Sequence, residues 1–153
     1  MEKNELLELE YLGTPYSNAN DYLINFRAEM VDIIAHDLTM KGRAIYSPIS
    51  SWHQIACKFE MSKTFEFWEK MNLSFLCKCK QLIVVMLPGY EESIGLRGEI
   101  EFAIQNDIPI EFLDPAPYFR KIEIKSNTDE SYKQKELNEI KRFRRMMRNQ
   151  RKF

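Results

Sequence analysis

The chain has 153 residues, 44% of them hydrophobic and 29% charged, with a formal net charge of −1. That length suits one domain, which at this size buries roughly 70% of its unfolded surface. Its apolar runs all fall short of the 18 or more residues of a membrane-spanning helix, so no spanning helix is expected.

The elements follow in chain order. Leu9–Leu12 reads as a short first strand. Gly13–Asn18 is a turn cluster. From Asp21 to Met40 the apolar positions Tyr22, Phe26, Met30, Ile33, Ile34 and Leu38 repeat at helical spacing, and Gly42 stands where a helix ends. Ala44–Ser47 reads as a second strand stopped by Pro48. A loop is expected over Ile49–Ile55, carrying Trp52 and His53. Phe65–Cys79 reads as a helix with Phe67, Met71, Phe75 and Leu76 on one face. Leu82–Leu87 is apolar throughout, the pattern of a strand buried on both faces. Arg97–Asn106 reads as a helix and Ile108–Phe112 as a last short strand. This βαβαβαβ order predicts a parallel sheet covered by helices.

The small net charge hides a split. Residues 1–114 hold 10 Lys/Arg against 18 Asp/Glu, a balance of −8, and residues 115–153 hold 12 against 5, a balance of +7. Residues 1–114 are therefore expected to form the α/β domain, and 115–153 a basic linker and C-terminal helix. Ser126–Asp129 reads as the linker. Over 136–151 an apolar stripe of Leu137, Ile140, Phe143 and Met147 is flanked by Lys and Arg. Such a helix is expected to pack on the acidic body or on a second subunit. Contact with nucleic-acid phosphates is the less favoured alternative.

Cys57, Cys77 and Cys79, with His36 and His53, lack the spacings of a zinc site, so the cysteines read as reduced thiols. The segment Met1–Glu5 is acidic and has no apolar stretch of a leader. A cytoplasmic protein is expected.

Chemistry concentrates in Ser93-Ile-Gly95-Leu-Arg-Gly-Glu99. This stretch follows the apolar strand and a Pro-Gly turn, where open α/β sheets bind ligands. Backbone N–H groups at a helix start attract anions. Glu99 then reads as an acid at the start of the helix, kept ionised by nearby N–H groups. A plain dipole-favoured acid would look the same from spacing alone.

Two motifs carry a resemblance. Tyr11-Leu12-Gly13-Thr14-Pro15-Tyr16 resembles the opening motif of nucleoside 2-deoxyribosyltransferases and their nucleotide N-glycosidase relatives. Ser93-x-Gly95-x-x-x-Glu99-x-x-x-Ala103 resembles their active-site motif. With Ser17, Ser47-Pro48-Ile49, His53, Trp68 and Leu87-Pro88-Gly89, the pattern is similar to that of a small phage and bacterial branch. It covers residues 9 to about 114.

The resemblance implies a flavodoxin-like doubly wound sheet, here with a C-terminal helical extension. It implies cleavage of the N-glycosidic bond of a (deoxy)nucleotide, or base transfer, without metal or cofactor. Glu99 would be the nucleophile at C1′, with Tyr11 holding it in place. Gly13, Tyr16, Ser17, Asn72, Ser93 and Gly95 would contact substrate, Ser93 on the phosphate. Trp52 and His53 would stack on or hydrogen-bond the base, and a neutral histidine, with an unperturbed pKa of about 6.5, is able to protonate it. Asn72 departs from the pattern: the glycosidases place an aspartate there, and an asparagine is no general acid. A homodimer is also implied. The alternatives are a non-catalytic nucleotide-binding or sensing module and a nucleic-acid interaction protein acting through the basic tail.

Overall fold

The computed structural model describes residues 6–18, 21–119 and 145. Eight elements follow one another: β1 (Leu9–Gly13), α1 (Asp21–Met40), β2 (Ala44–Tyr46), α2 (Pro48–Lys58), α3 (Phe65–Leu76), β3 (Gln81–Val85), α4 (Ile94–Gln105) and β4 (Ile110–Leu113). The four strands form one parallel sheet in the order β2-β1-β3-β4. This is a doubly wound α/β sheet of flavodoxin-like type. The predicted linker at 126–129 and the helix over 136–151 lie outside the described residues, Arg145 apart.

Strand pleating sorts the core into two layers. Leu12, Ile83 and Val85 face α1 and pack with Met30, Val31 and Ile34. Tyr11, Leu82 and Val84 face the other side and pack with Leu76 of α3 and Leu96 and Ala103 of α4. Residues 82–85 of β3 are buried on both faces, which explains its uninterrupted apolar run.

Three expectations about the elements are corrected. Residues 49–55 are not a loop but part of α2. Ser47 caps that helix by accepting the Ser50 N–H, and Pro48 occupies its first turn. The proline that stops the strand also starts the helix. The fourth helix begins at Ile94 rather than Arg97, because Ser93 accepts the Leu96 N–H as its cap. Its first turn holds no acid, so Glu99 stands in the second turn. The third helix ends at Leu76, three residues before Cys79.

From β1 the chain winds through α1 to β2. From β3 it winds the opposite way, through α4 to β4. The carboxyl ends of β1 and β3 therefore flank the point where winding reverses, the place for a crevice in such sheets. At the opposite end Arg43 bridges Glu10 and Glu111, and Gln81 donates to both carboxylates. That network closes the amino-terminal edge and leaves the carboxyl edge open.

Candidate active site

A cleft of about 630 Å³ opens at that carboxyl edge. Residue parity on β1 turns the Tyr11 ring away from α1 and toward α4. Fully buried, Tyr11 donates its hydroxyl to Glu99 Oε1 at 2.6 Å. Glu99 itself is only 6% exposed, and it lines the cleft floor.

Gly13, at the end of β1, makes room for this carboxyl. A Cβ there would stand 2.9 Å from Glu99 Oε2 and 3.0 Å from Leu96 Cδ1. Burial pushes the Glu99 carboxyl up to about 7, and hydrogen bonds from Tyr11 and Asn72 pull it partly back. The expectation of an acid kept ionised by first-turn N–H groups is thus overturned. Glu99 lies beyond that turn, and desolvation outweighs its hydrogen bonds. Burial and the neighbouring Glu99 charge hold the Tyr11 hydroxyl well above its ordinary value, so it stays protonated and keeps its hydrogen bond to Glu99.

Asn72 on α3 faces the same carboxyl. Its Oδ1 is buried with no hydrogen-bond partner. The amide thus donates inward while its carbonyl oxygen remains for a ligand hydroxyl.

The rim is aromatic. Tyr16 Oη and His53 Nδ1 are hydrogen-bonded at 2.8 Å. Burial, and then the Lys63 charge, hold the His53 pKa below its ordinary value, which favours the neutral ring. Trp52 of α2 and Trp68 of α3 meet at 5.7 Å between ring centroids, tilted by 44°. The Trp68 indole is anchored by donating to the Ser62 carbonyl at 2.6 Å. Ser17 Oγ donates to the Lys63 carbonyl at 2.6 Å, which ties the loop after β1 to the segment between α2 and α3.

Gly13, Tyr16, Ser17, Trp52, His53, Asn72, Ser93, Gly95 and Glu99 all line this one cleft, and Tyr11 stands directly behind it. Gly95 has a further reason to be glycine. A Cβ there would meet the Phe65 ring at 3.1 Å, and one on Gly98 would meet it at 2.7 Å. Both glycines seat Phe65 on the first turns of α4.

Sequence reasoning missed Phe65, Lys63 and Arg27. The two glycines three residues apart, one helical turn, were the signal for a ring packed on α4. Arg27 is 5% exposed on the buried stripe of α1, where a lone cation among apolar residues was legible. It donates to the carbonyls of Tyr16, Ser17 and Pro88, so it joins the two loops flanking the cleft. Among the described residues no group of three or more His, Cys, Asp or Glu side chains is placed to hold a metal ion, and no helix is long and apolar enough to cross a membrane.

No curated protein matches the chain. A family model does, over residues 9–114, the span that contains the sheet and the whole cleft. The chain belongs to that family, described as a domain of unknown function, DUF1937.

Proposed function

We propose that the cleft breaks the N-glycosidic bond of a (deoxy)nucleotide, with Glu99 as the nucleophile at C1′. The observation that carries this reading is the Tyr11–Glu99 pair, a buried carboxyl held by a phenol at the floor of a nucleotide-sized cleft. A perturbed carboxyl in a cleft is the usual signature of a working acid, base or nucleophile. Near pH 7 a substantial fraction of Glu99 is ionised, and the Tyr11 hydrogen bond fixes which oxygen remains for attack. The sugar passes to the carboxylate as an ester and then to water or to an acceptor base, the retaining course.

Ser93 and Gly95 lie at the α4 end of the cleft, where a phosphate would meet the Ser93 hydroxyl and the helix start. Asn72 Oδ1, buried and unpartnered, would accept a sugar hydroxyl. The test is base release from a panel of nucleosides and 5′-monophosphates, with and without an acceptor base, by the wild type and by Glu99→Gln. Release that stops in Glu99→Gln supports the reading. Release unchanged by Glu99→Gln removes it.

A second reading, nucleotide binding without turnover, is favoured by Asn72, which offers no proton. Tight binding with no release from any member of the panel would select it.

A further inference from the structure

The buried part of the cleft is short of a proton donor for a departing base, and the other lining carboxyls, Asp21, Glu66 and Glu92, are solvent-exposed. A neutral nucleobase leaves slowly unless it is protonated, and general-acid help contributes about 10²–10⁴-fold. Asn72 carries an amide. Tyr11 is committed to Glu99, and burial holds its hydroxyl well above its ordinary pKa. His53 is engaged with Tyr16 and is held below its ordinary pKa.

Charge and shape point the same way. Asp21, Glu66 and Glu92 line the cleft together with Glu99. Among the described lining residues Lys63 is the lone Lys or Arg, and it is paired with Asp21 at 3.3 Å. Arg27 lies behind the rim, with its guanidinium bonded to three carbonyls. The tilted Trp52–Trp68 pair lines the same space, and indole faces attract delocalised cations.

We propose that the substrate of this cleft is an N-glycoside whose base carries a fixed positive charge, such as an N-ribosylated pyridinium or an N-alkylated purine, held against the Trp52–Trp68 pair. This rests on the glycosidase reading and names its substrate class. With such a base the missing acid is not needed. A Glu99 oxygen bonds to C1′ while the C1′–N bond breaks, and its electron pair cancels the positive charge on the ring nitrogen. The base leaves as a neutral heterocycle without gaining a proton. Water then attacks C1′, the ester C–O bond breaks, the Glu99 carboxylate returns and one proton goes to solvent. The acidic lining favours the cationic ground state, and the departing neutral base is no longer held by it.

The experiment compares matched pairs on the full chain: nicotinamide riboside against its uncharged dihydro form, and 7-methylguanosine against guanosine, each as nucleoside and 5′-monophosphate. The expected result is base release from the charged member at least about a hundredfold faster than from its neutral partner, the smallest share general-acid help supplies. Release from nicotinamide riboside, whose charge does not titrate, should rise with pH through about 7, as Glu99 ionises, with no alkaline fall. Trp52→Ala should weaken binding of the charged member more than that of its neutral partner, and Glu99→Gln should abolish release. Neutral members cleaved within tenfold of their charged partners would overturn the charged-base proposal and leave the glycosidase reading standing. No release from any member would overturn both.

Discussion

Tyr11 on β1 and Glu99 on α4 lie 88 positions apart in the chain, yet they share a buried hydrogen bond of 2.6 Å beneath the cleft floor. That bond joins the central strand to the helix that begins at the opposite wall. It also opposes the effect of burial on the carboxyl, and several measurable consequences depend on that balance.

Glu99 binds its proton more tightly in the folded chain than in the unfolded one, with a pKa of about 7 against the ordinary 4.5 of a solvated glutamate. Between those values the folded state holds more protons, so its stability falls as pH rises. At 1.36 kcal/mol per unit the loss across that window is about 3 kcal/mol. Glu99→Gln, which stays neutral, should therefore be more stable than wild type at pH 8, with no gain at pH 4.5. Thermal melts of both proteins across that range check this. A gain that persists at pH 4.5 would mean that charge is not the cause.

Tyr11→Phe removes a hydrogen bond that lowers the Glu99 pKa. The carboxyl should then titrate higher, and the rise of base release with pH should move to the alkaline side. A pH–rate profile reads this shift directly. An unmoved profile with a lower plateau would assign Tyr11 to packing alone.

Gly13→Ala places a methyl group 2.9 Å from Glu99 Oε2 and 3.1 Å from Leu82 Cδ1. The strand end is fixed by pairing to β3, so the carboxyl must move. Overpacking of this kind costs about 1–3 kcal/mol, and base release should fall much further than stability. Denaturant melts beside activity assays separate the two effects.

Asn72→Asp sets a second carboxyl against Glu99. The two would share a proton, because like charges in one site cannot both ionise cheaply. The new acid should extend cleavage to neutral bases, by up to about 10²–10⁴-fold, and give the pH profile an alkaline limb. A profile that gains no such limb would mean that residue 72 does not reach the leaving group.

Arg27→Met withdraws the donors from the carbonyls of Tyr16, Ser17 and Pro88. Of these bonds only the one to Pro88 is fully buried, and a buried carbonyl left unpaired costs about 1–3 kcal/mol, so a loss of at least about 1 kcal/mol is expected. KM should rise more than kcat falls, since the variant loosens the loops flanking the cleft and leaves the Tyr11–Glu99 pair in place. Equal changes in both would place Arg27 nearer the chemistry.

The periodicity of 21–40 and the apolar run over 82–87 were enough to foresee α1, β3 and the parallel sheet, because helix and strand spacing are local properties. The cleft gathers Gly13, Tyr16, Ser17, Asn72, Ser93, Gly95 and Glu99, positions that the sequence put at or after the ends of the first and third strands or on the third helix. The helix carrying Trp52 and His53 was hidden, since Pro48 reads equally as a stop for β2 and a start for α2.

Only the tertiary structure decided the state of Glu99. The acid and the N–H groups near it are visible in the sequence, but the burial that raises its pKa exists only once the rest of the fold closes over α4, with Tyr11 of β1 against the carboxyl. The glycines of 95–98 were legible as a loop motif. That they seat Phe65 was not, because the ring arrives from another helix. Spacing along the chain records which atoms a segment offers. Burial and close approach depend on what the rest of the fold places against them.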